Sequence, residues 1–330
     1  MVAQGGHRTQ ASSTRHTSPV IAIIGGLGAA ICWAVATVAS SRSSRMIGSR
    51  VVLAWIMIVG TIVGLPLALA SGVPSTIPPE APLLLLVGGL AYSSGLYVAY
   101  RALVIGKVSI VAPIVATEGA LAAVLAVLLG DALGVQAGLI LALIAVGVVL
   151  SSIEPARPDV PAGTIELAAD ALDGPAPPGP PVPADATPRE GEHPREAILL
   201  SIAAAAIFAV GLVASGTAAS LVPPIWVALA ARLVGLVVVA LPLLLQGRLT
   251  LTRAAAPLVI LSGIGEMIGS TLSAWGATDS IAVVAVLGSQ FAAIAAVLAF
   301  VLFGERLSRT QLIGVVLIVV GVTLLAAVGA

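Results

Sequence analysis

Three charged side chains lie deep inside apolar stretches of this sequence: Glu118, Arg232 and Glu266. Glu118 is the sole ionisable residue among the nineteen from Ala112 to Gly130, a run long enough to cross a bilayer. A charge held in hydrocarbon is costly, faces the interior of its bundle, and marks either a partner or a solute or ion path. On a helix Glu266 shares its face with Gly269, Ser270 and Ser273, which suits a cavity wall or a tight helix contact better than lipid. Glu118 has Ala122 one turn on and Gly119 and Ala126 nearby, so it too sits on a small-residue side. Arg232 lies about ten residues into its apolar segment, near mid-membrane at ~1.5 Å per residue.

Two chemistries fit this set. Arg232 can pair with Glu118 or Glu266 and fix helix packing, because buried charges are usually paired. Alternatively the three line a cavity and bind the polar groups of a solute, with Glu118 and Glu266 as proton-coupling candidates. Other residues join them as substrate-binding candidates: Trp33, Tyr92, Ser93, Tyr97, Phe208, Ser270 and Gln290. All three tyrosines, Tyr92, Tyr97 and Tyr100, fall in one segment. Tyr97 and Tyr100 stand near its end, where an aromatic ring also serves as an interfacial anchor. Arg101, Lys107, Asp131, Asp279, Glu305 and Arg306 stand at segment ends and read as solvated or turn residues.

The elements that position these groups are apolar helices. Hydrophobic residues make up 59% of the 330 and charged residues 9%, where a soluble domain carries about a quarter charged. The chain therefore reads as an integral membrane protein. Ten segments of spanning length can be marked, at 20–40, 51–71, 81–101, 108–130, 133–152, 197–219, 222–246, 255–277, 280–303 and 309–329. β-Barrel strands would be about half as long and would alternate. The first 19 residues form a polar tail, and the run after them is too long for a signal-peptide core, so it reads as a retained span. A zero formal charge gives no case for nucleic acid. No cofactor is expected: His7, His16 and His193 show no metal-ligand spacing and no P-loop is present. Cys32, the single cysteine, reads as an inert thiol.

Residues 153–195 hold eleven of the 22 prolines and eight of the fifteen acids, and read as a disordered linker containing one candidate interfacial helix, "TIELAADALD". The linker separates five segments (20–152) from five (196–330), and the halves match. "WAVATVAS" at 33–40 aligns with "FAVGLVAS" at 208–215, an offset of 175. "LPLAL" at 65–69 aligns with "LPLLL" at 241–245, an offset of 176. "VLLGDAL" at 127–133 and "LIAVGVVL" at 143–150 align with "VLFGERL" and "LIVVGVTL" at an offset of 174. Tyr92 thereby matches Glu266, Gly95 matches Gly269, Trp33 matches Phe208 and Asp131 matches Glu305, while Trp55-Ile56 stands near the place of Arg232. Five spans per half is odd, so the halves take opposite orientations, as in inverted-repeat transporters.

"AYRALVIGKVSIVAPIVATEGALAAVLAVLLGDAL" and "GERLSRTQLIGVVLIVVGVTLL" resemble the EamA-type repeat of the drug/metabolite transporter (DMT) superfamily. The resemblance covers nearly everything outside the tail and linker; the first repeat departs from it with Gly130-Asp131-Ala132-Leu133 in place of Gly-Glu-Arg-Leu. It implies ten helices, a central cavity between repeats and movement of small metabolites, and it names no substrate. Together these readings lead us to expect an all-α membrane protein of ten helices in two inverted five-helix repeats. Its expected function is alternating-access transport of a small polar or amphipathic, amino acid-like metabolite, with export favoured. A non-catalytic scaffold or receptor-like protein is the alternative; no catalytic cluster supports an enzyme. The expected partners are a small-molecule substrate and the lipid bilayer. Arg42, Arg45, Arg50, Arg101, Lys107, Arg248, Arg253, Arg306 and Arg309 flank loops on the linker's side, against Arg8 and Arg15 on the other. The positive-inside rule then puts the linker in the cytoplasm of a plasma-membrane protein and both termini outside, whereas the resemblance implies cytoplasmic termini.

Overall fold

The computed structural model describes residues 20–105, 111, 114–131, 133–152, 194–291, 293–294, 298 and 308–329. The N-terminal tail, linker residues 153–193 with "TIELAADALD", the Gly-Glu-Arg-Leu turn at 304–307, and Lys107 lie outside the described residues. The helices are α1 (Val20–Ile47), α2 (Ser49–Ala70), α3 (Ala81–Ile105), α4 (Glu118–Leu128) and α5 (Val135–Ser152), then α6 (Pro194–Ala219), α7 (Pro224–Leu245), α8 (Ala256–Ala277), α9 (Ile281–Gly288) and α10 (Arg309–Gly329). No strand occurs among the described residues. Six helices, α1, α2, α3, α6, α7 and α8, are long and apolar enough to cross a membrane, while α4, α5 and α10 are apolar but shorter in their described parts.

Small residues set the packing. Apolar helices in lipid gain little from burial against each other, so association depends on close backbone approach. α1 lies antiparallel on α8: a Cβ added to Gly25 would stand 2.6 Å from Gly276 Cα, Gly269 meets Trp33, and Ser262 donates to the Ala36 carbonyl at 3.1 Å. α3 lies on α6 in the same manner, with Gly88 against Ser215, Gly211 against Ala91 and Gly95 against Phe208. These are the two broadest helix contacts, followed by α5 on α10.

The contacts repeat across the two halves. Gly95 meets Phe208 while its counterpart Gly269 meets Trp33; Gly89 meets Val234 while Gly263 meets Val59; Gly60 meets Arg232 while Gly235 meets Met57. A twofold relation therefore links the halves in space as well as in sequence. Equivalent helices run antiparallel where they touch: Met57 and Gly60 of α2 face Gly235 and Arg232 of α7, and Ile144 and Gly147 of α5 face Gly321 and Gly314 of α10. The helices also sort into two mixed groups, α1, α2, α8 and α9 on one side and α3, α4, α6 and α7 on the other. They meet along α2–α7, α4–α9 and α7–α8, contacts as broad as some within each group.

One helix breaks the symmetry. Leu236–Ala240 of α7 form a π turn. Between Gly60 and Pro66 α2 has five residues, and between Gly235 and Pro242 α7 has six. The offset of 175 at Gly60 and 176 at Pro66 is thus one inserted residue, and a π turn absorbs one extra residue within a helix.

Acidic side chains close one end of the bundle. Asp131, in the turn after α4, accepts from the Ala282 amide at 2.9 Å and from Ser280 Oγ at 3.1 Å, capping α9 of the other half. Asp279 accepts from the Ala22 amide at 3.3 Å at the start of α1. A carboxylate suits these positions because a helix N-terminus has unpaired N–H groups and a positive dipole end.

Candidate functional site

α7 carries Arg232 into the seam between the two groups of helices, where it is 0% exposed. A guanidinium cannot remain charged there without partners. α8 supplies them from one face. Arg232 Nη2 donates to Glu266 Oε2 at 3.2 Å, to the Glu266 carbonyl at 3.0 Å and to Ser270 Oγ at 2.5 Å. From α3, Tyr92 Oη donates to the same Glu266 Oε2 at 2.8 Å, and the Tyr92 ring centroid lies 4.9 Å from the guanidinium carbon. From α2, Met57 Sδ stands 3.9 Å from Nη1. Carboxylate, carbonyl and hydroxyl from α8, the ring from α3 and the sulfur from α2 so surround one buried cation.

The position of this cluster follows from the duplication. Tyr92 and Glu266 are counterparts at an offset of 174, and Met57 and Arg232 at 175. Residues beside a twofold axis meet their own counterparts, so one ancestral contact has become Tyr–Glu and another Met–Arg. The counterpart of Arg232 is therefore Met57; the sequence expectation of Trp55-Ile56 at that place is corrected by the reciprocal packing of Gly60 on Arg232 and Gly235 on Met57. Trp55 instead donates its indole N–H to the Thr250 carbonyl at 3.0 Å in the loop before α8.

Of the two pairings open to Arg232, the structure forms the one with Glu266. Glu118 has no hydrogen-bond or ion-pair partner among the described residues; it starts α4 half-buried, between Ala116 and Ala122, which are buried in the core formed with α6 and α9. Glu266 keeps 18% of its side chain exposed although α1, α2, α3 and α7 surround it. Trp33 is wedged between Gly269 and Gly288 and meets Phe291 edge-on at 6.4 Å. Phe208 lies against Gly95. Ser93 and Gln290 are each 2% exposed. Four buried polar atoms have no partner among the described residues: Trp33 Nε1, Ser93 Oγ, Gln290 Nε2 and Arg232 Nε.

Tyr92, Arg232, Glu266 and Ser270 are thus brought together directly, and Ser93, Trp33 and Phe208 pack on the same helices around them. Gln290 and Glu118 sit at the neighbouring α4–α9 crossing, where Gly119 meets Ser289. Tyr97 stands apart: it is 49% exposed, with the Arg50 guanidinium carbon 5.6 Å from its ring centroid, the setting of an interfacial anchor. The Tyr100 side chain lies outside the described residues. Met57 and Phe291 were missed from the sequence; the offset of 175 that paired Trp33 with Phe208 would have found Met57, while nothing local marks Phe291. No group of three or more His, Cys, Asp or Glu among the described residues could hold a metal.

The description of the EamA-like transporter family matches this sequence twice, over residues 9–153 and 195–327. No curated protein matches. A solved structure titled only "Crystal structure of protein" superposes with a TM-score of 0.69 at 21% identity, covering 92% of this chain and 95% of that one. At that identity the likeness concerns the fold.

Proposed function

The chain belongs to the EamA-like transporter family of the DMT superfamily, and from that premise we propose a ten-helix secondary transporter built of two inverted five-helix repeats, 20–152 and 196–330, joined by the linker. It is a multi-pass membrane protein whose family moves small molecules. The antiparallel contacts of α2 with α7 and of α5 with α10 support the inverted arrangement. The solute is a small polar or amphipathic metabolite, amino acid-like in size, moved outward by alternating access.

The observation that carries this reading is the exposure of Glu266. A carboxylate enclosed by four helices and still 18% open borders an interior space. Half-buried Trp33 and Tyr92 belong to the helices around it and Ser270 to its own helix, while half-buried Glu118 and Phe208 stand on α4 and α6, which suits a cavity with an apolar wall and few polar groups. Tyr97 is better assigned to the interface than to this cavity. Of the two proton-coupling candidates, Glu118 is the one without a counter-ion.

For orientation, Arg42, Arg50, Arg101, Arg248 and Arg253 stand at one end of the bundle and Asp131, Asp279 and Glu80 at the other. This supports a cytoplasmic linker with both termini outside, in the plasma membrane.

A thermal-shift screen of the purified chain against a metabolite library tests the reading. A true solute at a hundred times its dissociation constant adds about 2.7 kcal/mol to stability. The response is expected to vanish in a folded Glu266→Gln or Glu118→Gln variant. Hits that stabilise both variants as fully as the wild type would remove the glutamates from the site.

A further inference from the structure

One acidic side chain inside the bundle has no partner among the described residues. Among the described residues the ionisable groups well inside the spans are Cys32 on α1, Tyr92 on α3, Glu118 on α4, Arg232 on α7 and Glu266 on α8; α2, α5, α6, α9 and α10 add none. Arg232 and Glu266 neutralise one another at 3.2 Å, and the Tyr92 phenol donates its proton to that same carboxylate rather than adding charge. What remains is one carboxylate, Glu118, half-buried and without a partner. At the same crossing the Gln290 side chain, 2% exposed, holds an amide nitrogen with no partner among the described residues.

A carboxyl group in a low-dielectric interior cannot stay ionised without a counter-charge, so a ligand that brings a positive charge suits it as a partner and one that brings a negative charge does not. α6 packs on α4 and α1 packs on α9, and each of these neighbouring helices carries an aromatic ring, Phe208 and Trp33. Ala116 and Ala122, which bracket Glu118, share their core with Ala209, the neighbour of Phe208, and with Leu287, beside the Gly288 that Trp33 covers. Aromatic faces attract cations, and the Tyr92 ring is already used by Arg232, which leaves Phe208 and Trp33.

We propose that the solute of this chain is a net-cationic amine, its ammonium countered by Glu118 and its body lying against Trp33 and Phe208. The unpaired Gln290 amide adds a donor for an acceptor atom on the same solute. This rests on the transport reading above and narrows it: a zwitterion's ammonium can meet Glu118, but its own carboxylate is then left without a counter-charge, so a plain amine is preferred over the amino acid of the same skeleton.

Three probes with one ring and different charge test it: phenethylamine, phenylalanine and phenylpropionate. Binding to the purified full chain in nanodiscs is measured by calorimetry, and flux by counterflow into proteoliposomes. Phenethylamine is expected to bind about tenfold or more tightly than either of the others, a difference of about 1.4 kcal/mol. Glu118→Gln is expected to abolish that preference and Glu118→Asp to keep it. Equal or tighter binding of phenylalanine or phenylpropionate to the wild type overturns the inference, as does failure of the amine to bind at millimolar concentration or a preference that survives Glu118→Gln. The charge series on the wild type decides even if a variant does not fold. Flux of a zwitterion or an anion sinks the charge inference and leaves transport standing; an amine that binds and is never moved does the reverse.

Discussion

Arg232 is the residue on which the centre of the molecule depends. Its cation is held by Glu266, Ser270, a carbonyl and the Tyr92 ring, so removing it leaves a carboxylate in the seam without its counter-ion. Breaking a buried pair costs about 3–5 kcal/mol, whereas replacing both members with apolar or neutral groups of similar volume is often nearly neutral. Arg232→Met is therefore expected to lower the melting temperature sharply, and Arg232→Met with Glu266→Gln to recover much of the loss. Unfolding of the four proteins of this cycle in detergent checks it; additive losses would show that the two side chains are not coupled. Arg232→Lys should also lose stability, because one ammonium cannot reach carboxylate, carbonyl and hydroxyl from the same plane.

Among the elements, glycines decide which helices can touch. A Cβ on Gly25 would stand 2.6 Å from Gly276 Cα, and one on Gly119 would fall against the Ala285 carbonyl and Ser289, all at closely packed backbone. Gly25→Ala and Gly119→Ala are each expected to cost about 1–3 kcal/mol by overpacking. Gly134 has nothing within 4 Å of the same position, so Gly134→Ala should be harmless in the same unfolding experiment. Asp131 makes a different kind of link, accepting from the Ala282 amide and the Ser280 hydroxyl at the start of α9 from the turn after α4. Asp131→Ala should cost about 1–2 kcal/mol, as loss of a helix cap does, and Asp131→Asn less. Most of the elements were legible beforehand, because apolar runs of spanning length are the strongest signal a sequence carries. The π turn of α7 was present in the sequence as a change of offset between 175 and 176, yet an offset does not say where a helix will place its extra residue. The partner of Arg232 was undetermined for a related reason. Glu118 and Glu266 sit equally deep in their segments, and only the packing of α7 against α8, and not α4, chooses between them.

For the molecule as a whole, the duplication explains both the scaffold and the site. Two matching halves in opposite orientation place equivalent residues beside the twofold axis, and divergence there converts a symmetric contact into an asymmetric one: Tyr92 with Glu266, Met57 with Arg232. The halves were readable as repeats, but their interleaving into two mixed groups was not, since nothing in a repeat offset tells which half a helix will pack on. The basic end of the bundle predicts membrane orientation. With Cys32 replaced by alanine, a single cysteine introduced for Ala184 in the linker should react with an impermeant maleimide only from the cytoplasmic face of oriented vesicles. Labelling from outside would invert the topology and favour cytoplasmic termini. The most direct measurement of all is solute counterflow by the wild type, Glu118→Gln and Glu266→Gln in proteoliposomes loaded with a mixed metabolite pool. Saturable flux in the wild type, lost in at least one variant that keeps its helical content, is the expected result. Flux absent from the wild type for every solute, or unchanged in both variants, would contradict a transport site built around these carboxylates.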